Sequence, residues 1–333
     1  MVERRPGVIP PKAGPPPPRG PSPRQVARRR IAAVGILVLA LGGLGWLAVA
    51  AIGGGSSSPA TTVAQTTSGT LIYTTATITT NGKTTETVIA MPKPLHVVFP
   101  EGFTIEQMAQ RVAVVKAIAQ KKRHVKPQLT LRGYLAAVRD AGVPPCFRAH
   151  AKSMEGFLFP ATYEFFKATT NAQLVQNQLS AFCDNWGRLD LTYARSKNLT
   201  PYDVLIIASM VEKETLSPDE RPLVAAVIYN RLHDRMPLGI DATIRYGFHI
   251  PPTQSILQSQ LNDTSNPYNS RKLPGLPPTP IANPGLASMQ AAAHPAKVNY
   301  LYFVRKPDKK HHFFTASAAA FAQYEATHGY GQH

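Results

Sequence analysis

The hydrophobic pattern of the chain breaks into segments of different period. Residues 31–52 form a run of 22 without a single charge. As a helix rising 1.5 Å per residue it spans about 33 Å, enough for a bilayer core of about 30 Å. The run predicts one transmembrane helix. Arg28, Arg29 and Arg30 abut its start, and the next charge after it is Lys83. That asymmetry predicts a cytoplasmic N-terminus and an outer C-terminal part. A soluble buried helix is rarely apolar all round for so long. A cleaved signal peptide is the closer alternative, since Ala48-Val49-Ala50 has the small-residue cleavage pattern. Signal cores, however, run only about 7–15 residues.

Residues 53–69 are rich in Gly, Ser, Thr and Ala and read as a linker. In 70–91, two β-branched runs flank Asn81-Gly82, the signature of a hairpin; a Thr-rich stalk is the alternative. The apolar run 95–99 leads through Pro100-Glu101-Gly102 to Thr104, with Gln107 three residues on, a capping box. Ile105, Met108, Ala109 and Val112 then repeat at helical spacing. A second helix is expected near 130–141, stopping at Gly142. Residues 95–148 thus predict a small α/β module, read as a platform because it offers no clustered catalytic groups.

Beyond 149 the pattern predicts a larger mixed domain running to 333. Thr200-Pro201-Tyr202-Asp203 opens a helix with cap, proline and acid in sequence. Leu205, Ile206, Ala208, Ser209, Met210 and Val211 make it nearly apolar all round, so it is expected deep in the core. Ser217-Pro218-Asp219-Glu220 repeats the opening for a helix with a core stripe of Leu223, Val224, Val227, Ile228 and Leu232. The Pro/Gly-rich segment 265–285 is expected to wrap a cleft as a long loop. Residues 299–304 (NYLYFV) read as a buried strand. The fold class is α+β, with the domain boundaries at 1–30, 31–52, 53–94, 95–148 and 149–333.

Charge changes this picture in one respect. The 333 residues carry 36 Lys+Arg against 19 Asp+Glu, a net +17, with 31 prolines. Nine of those prolines and a net +7 fall in the first 30 residues, a composition that predicts a disordered tail. The other +10 lies in the part expected outside the membrane, which argues against nucleic acid as partner. Cys146 and Cys183 lie where a disulfide is permitted. They either pair or stand as two buried thiols. No metal-ligand spacing is present, and no cofactor or metal is expected.

The sharpest chemical candidate is Glu212, at the exit of the apolar helix. Burial disfavours a charged carboxylate, the condition a general acid needs near neutral pH. Spacing alone leaves a plainer role open, a helix-end acid paired with Lys213 or a nearby Arg. Glu214 points about 200° away around the helix and is expected to be solvated or salt-bridged. Glu220, Asn230 and Arg231 are polar groups of the next helix whose burial the pattern does not fix, and Asp241 is placed to join the same cleft.

Six strings in order, SMEGFLFPATYEF (153–165), IIASMVEKET (206–215), ERPLVAAVIYNRL (220–232), LGIDATIRYG (238–247), PYNSRKLPGLPPTPIANPG (267–285) and AAAHPAKVNYLYFV (291–304), resemble the bacterial endolytic murein transglycosylase family, the YceG-like proteins. The resemblance extends to the anchor and to the PEGFTIEQMAQRV region, a LysM-like subdomain in that family. It implies cleavage of the β-1,4 bond between N-acetylmuramic acid and N-acetylglucosamine inside nascent glycan strands, leaving a 1,6-anhydro end. The first Glu of VEKET, here Glu212, matches the family's catalytic residue. Glu220, Asn230, Asp241, Tyr268, Asn269, Asn283 and His312 match other motif positions and are the implied substrate-binding candidates. Peptidoglycan strands are the implied substrate, with peptidoglycan synthases and the elongation or division machinery as implied partners at the cell membrane.

Four positions depart from the family pattern. Ala161 stands where Asp is common, Gly239 where Gln is common, and Ser270-Arg271 where Thr-Tyr is common. They bear on fine specificity rather than on Glu212. A hydrolytic muramidase and a catalytically silent wall-binding scaffold are the alternative readings.

Overall fold

The computed structural model describes residues 65–329 apart from 69–70 and 81–82, with side chains from 92 onward. The tail 1–30, the apolar run 31–52 and the Asn81-Gly82 turn lie outside the described residues; among those described, no helix is long and apolar enough to cross a membrane. The chain divides into two units, one of Met1–Thr62 with Ala76–Thr87, the other of Val63–Thr75 with Val88–His333. Of the first, only parts of two strands are described. These are the Ala76–Thr80 part of β2 (Leu71–Thr80) and the Lys83–Thr87 part of β3 (Lys83–Pro92). Within the second unit, β1 (Gln65–Ser68) runs antiparallel to residues 71–74 of β2, with Gln65 opposite Thr74.

The rest of the second unit is α+β, with ten α-helices among the described residues around two small two-stranded sheets. β4 (Leu95–Val98) pairs antiparallel with β5 (Thr162–Phe165). Leu95, Val97, Tyr163 and Phe165 face the core in strict alternation with exposed neighbours, the period-2 signature of a sheet wet on one side. The partner of β4 therefore comes from beyond the expected boundary at 148/149. Local pattern reveals a strand but not its long-range partner.

α1 (Ile105–Arg123) starts at Thr104, whose hydroxyl accepts from Gln107 N while the Gln107 side chain accepts from Thr104 N. α2 (Leu131–Ala141) stops at Gly142. It packs between α1 and α3 (Asn171–Trp186), which carries its own Thr170–Gln173 capping box. After the short α4 (Thr192–Ser196) comes α5 (Pro201–Glu214), capped by Thr200 and Asp203 and buried continuously from Val204 to Val211. α6 (Arg221–His233) and α9 (Leu286–Ala293) pack against it. Such a helix can stay apolar all round only because neighbours cover every face.

The Ser217 motif behaves differently from its reading. Pro218–Glu220 forms a single 3-10 turn, and no side chain caps α6. The Glu220 carboxylate is drawn off to His312, at the start of β7 (His312–Thr315). β7 pairs with β6 (Tyr302–Arg305), so the expected strand begins three residues late. Its first three residues are only half-buried, because a two-stranded sheet has nothing to cover both faces. α7 (Asp241–Gly247), α8 (Gln258–Asn262) and α10 (Ala318–His328) complete the unit.

Residues 263–285 carry no regular element, yet much of the segment is buried. Ile281 N donates to Ser209 Oγ on α5 (3.0 Å), and Ser209 Oγ donates back to Ile206 O (2.7 Å). The strongest tie is Asn283, fully buried. Its Oδ1 accepts from Gly156 N (3.0 Å) and Leu158 N (2.9 Å). Its Nδ2 donates to Phe103 O (2.9 Å) and Glu155 Oε1 (2.7 Å). Glu155 is also buried and accepts from Ile105 N, the first amide of α1 (3.1 Å), and from Tyr246 OH (3.3 Å). Burial outweighs those donors and pushes its carboxyl up to about 8.

Cys146 and Cys183 are bonded, with Cα atoms 5.6 Å apart. The bridge sits beside a cluster of Phe147, Phe157, Phe182 and Trp186, so the two thiols left open by the sequence are a disulfide.

Replacing both Cys146 and Cys183 by Ala, which opens a loop of 37 residues, should lower unfolding free energy by about 4 kcal/mol on the chain-entropy scale; denaturant melts with and without reductant measure it. Glu155 is raised in the folded state, so the native protein binds its proton more tightly than the unfolded chain between pH about 4.5 and about 8. Its contribution to stability therefore falls as pH rises through that window. Melting wild type and Glu155→Gln side by side should show wild type losing ground to the variant from pH 5 to pH 8; parallel curves would refute the assignment.

Candidate active site

The last turn of α5 carries Glu212, whose side chain is only 6% exposed. Its Oε2 accepts from Gly285 N at 2.9 Å. Gly285 is the N-cap of α9, where free amides and the positive end of the helix dipole favour an anion. Glu212 Oε1 lies 3.8 Å from Arg221 Nη2, close enough for Coulomb attraction but too far for a hydrogen bond. Arg221 opens α6 and is fixed by donating from Nε to Ser288 Oγ on α9 (3.1 Å).

A second carboxylate completes the cluster. Glu101, in the turn between β4 and α1, places Oε2 at the same 3.8 Å from Arg221 Nη2. Its other oxygen packs so closely on Gly285 that an added Cβ there would sit 1.8 Å from it, so a side chain at 285 would displace the Glu101 carboxylate. Next to it, Gly102 holds φ +76° against the Glu212 side chain, a backbone conformation costly to other residues. Lys213 Nζ donates to Gly102 O (3.2 Å) and pins the turn over the end of α5. Burial raises the Glu101 carboxyl, the Glu212 charge raises it further, and Arg221 works against both. Burial likewise lowers the Lys213 ammonium.

The module read as free of catalytic groups therefore delivers a carboxylate to the site. Glu101, Arg221 and Ser288 were not among the sequence candidates. Glu101 is visible there only as part of a turn, and Arg221 only as a charge beside a helix start. Nothing local signals that residues more than 100 positions apart meet.

The expected residues divide into distinct groups. Glu220 and His312 are brought together in a buried pair, His312 N and Nδ1 lying 2.9 and 2.7 Å from the two carboxylate oxygens. Asn283 and Asn269 are fully buried. Asn269 Nδ2 donates to Asp263 O (2.6 Å) and Leu261 O (3.2 Å), and its Oδ1 accepts from Arg271 N (3.2 Å). Both amides are spent on holding the 263–285 segment. Tyr268 is half-buried, its hydroxyl 2.8 Å from Thr279 Oγ1 and its ring 5.0 Å from Tyr246.

Asp241 opens α7 and pairs with Arg271 Nε at 2.7 Å, both side chains half-exposed. It adjoins Glu214, which is half-buried rather than solvated. Burial first, then the Asp241 charge, pushes Glu214 up to about 7, with Arg305 opposing. Asn230 stands apart from Glu212. It donates to Val298 O (3.0 Å) and Tyr300 O (2.9 Å) and lines a cleft of about 540 Å³ with Tyr193, Tyr229 and residues 296–300. Among the described residues, no group of three His, Cys, Asp or Glu side chains could hold a metal ion.

This geometry can be set beside known proteins. A protein of Streptococcus pneumoniae R6 named endolytic murein transglycosylase is 35% identical over 225 residues, covering 62% of this chain and 39% of its own length. One of the same name from Bacillus subtilis 168 is 31% identical over 214 residues, covering 61% of this chain and 58% of its own. The chain thus spans well under two thirds of the length of these relatives. A crystal structure of a yceG-like protein from Listeria monocytogenes superposes with a TM-score of 0.54 at 28% identity, covering 69% of this chain and 76% of that one. The family model described as "YceG-like family" matches residues 62–327, and on that extent of agreement the chain belongs to the YceG-like family.

Proposed function

We propose that this protein is an endolytic murein transglycosylase that cuts peptidoglycan glycan strands with Glu212 as acid and base. The observation that carries the reading is the seat of Glu212: a nearly buried carboxyl at the end of a rigid helix, oriented by one amide at 2.9 Å and faced by a guanidinium at 3.8 Å. A group so fixed is pre-positioned for proton transfer.

In this mechanism the Glu212 carboxyl gives its proton to the glycosidic oxygen as the C1–O bond of the muramic acid breaks. Positive charge develops on C1 and the ring oxygen, and the new carboxylate faces it. The 6-hydroxyl of the same sugar then attacks C1, and its proton passes to Glu212, which regains its starting form. One bond breaks, one forms, and no water is consumed. Arg221 holds the carboxylate between the two steps. This needs one carboxyl at the reacting bond, unlike the two-carboxylate schemes of ordinary glycosidases.

The surrounding assignments belong to the same proposal. Residues 31–52 anchor the chain in the cell membrane with 53–333 outside, and 95–148 serve as a LysM-like unit that holds the strand. Cleavage terminates strand growth beside peptidoglycan synthases. Protease added to intact spheroplasts should remove the C-terminal part; full protection would refute that topology. Synthases should co-purify from crosslinked membranes, and their absence would count against the partnership.

The activity is tested on purified glycan strands by mass spectrometry of the products. Wild type should release 1,6-anhydro ends, and Glu212→Gln should slow release by about 10²–10⁴-fold with the fold retained. Products heavier by one water would identify a hydrolytic muramidase, and absence of any cleavage would leave a wall-binding scaffold. An active Glu212→Gln would move the assignment to Glu101 or Glu214.

A further inference from the structure

We propose that the C-terminal half of α1 is a docking surface for anionic phospholipid headgroups, which seats the 95–148 module on the membrane and holds the Glu212 site close to it. From the proposed function the inference needs only that this module shares a compartment with the lipid surface. Its own ground is charge and exposure. Between residues 107 and 148 stand nine Lys or Arg and a single acid, Asp140, so the stretch holds +8 of the chain's net +17. Four of the nine, Lys121, Lys122, Arg123 and Lys126, fall within six residues at the end of α1. Among the described residues, none of these four pairs with a carboxylate. The helix dipole at this end amounts to about half a negative charge, which one cation already offsets.

The same side of the helix is apolar one turn earlier. Val114 and Ile118 are 52% and 49% exposed, whereas Met108, Ala109, Val112 and Ala119 form the buried face. Three and four residues on from Ile118 stand Lys121 and Lys122, so two aliphatic groups and two ammonium groups share one surface. A soluble phosphate polymer would call only for the cations. Exposed aliphatic carbons flanked by lysines match a lipid surface, where apolar groups enter the headgroup boundary and lysine stems lie along it with their charges at the phosphates. Glu106 lies in the first turn of α1 and Glu101 before it, at the end away from the lysines. With 19 residues, α1 is about 28 Å long, and it starts just after the Gly102 turn that packs on Glu212. Docking through its far end therefore keeps the proposed acid roughly 30 Å or less from the lipid.

The full chain is tested with vesicles of phosphatidylcholine alone and of an equimolar mixture with phosphatidylglycerol. Both native cysteines are bonded to each other, so Ile118→Cys supplies one thiol for an environment-sensitive fluorophore, read by its emission and by quenching from doxyl-labelled lipid. In mixed vesicles the label should shift to the blue and be quenched; in neutral vesicles, or in high salt, it should report water. Lys121→Gln and Lys122→Gln should each lower the ratio of docked to free module about fivefold. Val114→Ser should lower it too, with the net charge unchanged. The same label at Gln323, on α10 against β6 and β7, should stay in water. A label at 118 that reports water in both vesicle types, or equal quenching in both, overturns the proposal, as does equal quenching at 323. Release of the label from mixed vesicles by purified glycan strands assigns the lysines to the strand and also overturns it. Flotation of the chain with neutral vesicles tests the anchor separately: a chain that does not float defeats the anchor alone, and the label is then read on added mixed vesicles.

Discussion

The side-chain amide of Asn283 is the constraint on which the site depends. A buried amide left unpaired is costly, on the order of 1–3 kcal/mol, and Asn283 satisfies all four of its hydrogen-bonding positions at 2.7–3.0 Å. Those partners belong to residues 103, 155, 156 and 158, so one side chain ties the turn before α1, the 153–158 turn and the 263–285 loop into one block. Two residues later the same loop supplies Gly285 N to Glu212. The position of the amide that orients the proposed acid is therefore set by Asn283, and the turn holding Glu101 is fastened by the same bonds.

Much of this was legible from local chemistry. The capping boxes at Thr104 and Thr200 and the stop at Gly142 are short-range devices, and each forms as its spacing dictates. Glu212 stood out because a charge directly after a long apolar stretch has to be accommodated at a helix exit. The pattern could not carry what depends on contacts between distant segments. β4 pairs with a strand more than 60 residues away, and Glu101 meets Arg221 across 120 positions. Glu220 reads as a capping acid because only its neighbours are visible in sequence, and His312, 92 residues on, takes the carboxylate instead. Asn269 and Asn283 match motif positions, yet their buried bonds show that a recurring polar residue can owe its place to the backbone it holds.

The two faces of the end of α5 also carry different electrostatics. On one side Glu212 and Glu101 share Arg221, with Lys213 beside them. On the other, Glu214 is pushed up to about 7 by burial and by Asp241, with Arg271 bound to Asp241 at 2.7 Å. Glu212 and Glu101 lie beside Arg221, whereas Glu214 and Asp241 lie beside Arg305 and Arg271.

Two of the departures from the family pattern, Gly239 and Arg271, fall beside Asp241. Ala161 contributes to the structure through its carbonyl, which accepts from Phe99 N at 3.0 Å, a bond that does not depend on the side chain. Gly239 adopts φ +66°, and a Cβ there would meet Arg231 Nη1 at 3.0 Å. A glutamine at this position would add left-handed strain of roughly 1–2 kcal/mol and crowd a guanidinium already bound to Leu238 O and Leu301 O. Arg271 supplies a cation to Asp241 where tyrosine would have supplied none. These last two changes alter the Asp241 side together, Gly239 two residues before Asp241 and Arg271 paired with it. The contacts that fix Glu212 and Arg221, to Gly285 N and Ser288 Oγ, involve neither Gly239 nor Arg271.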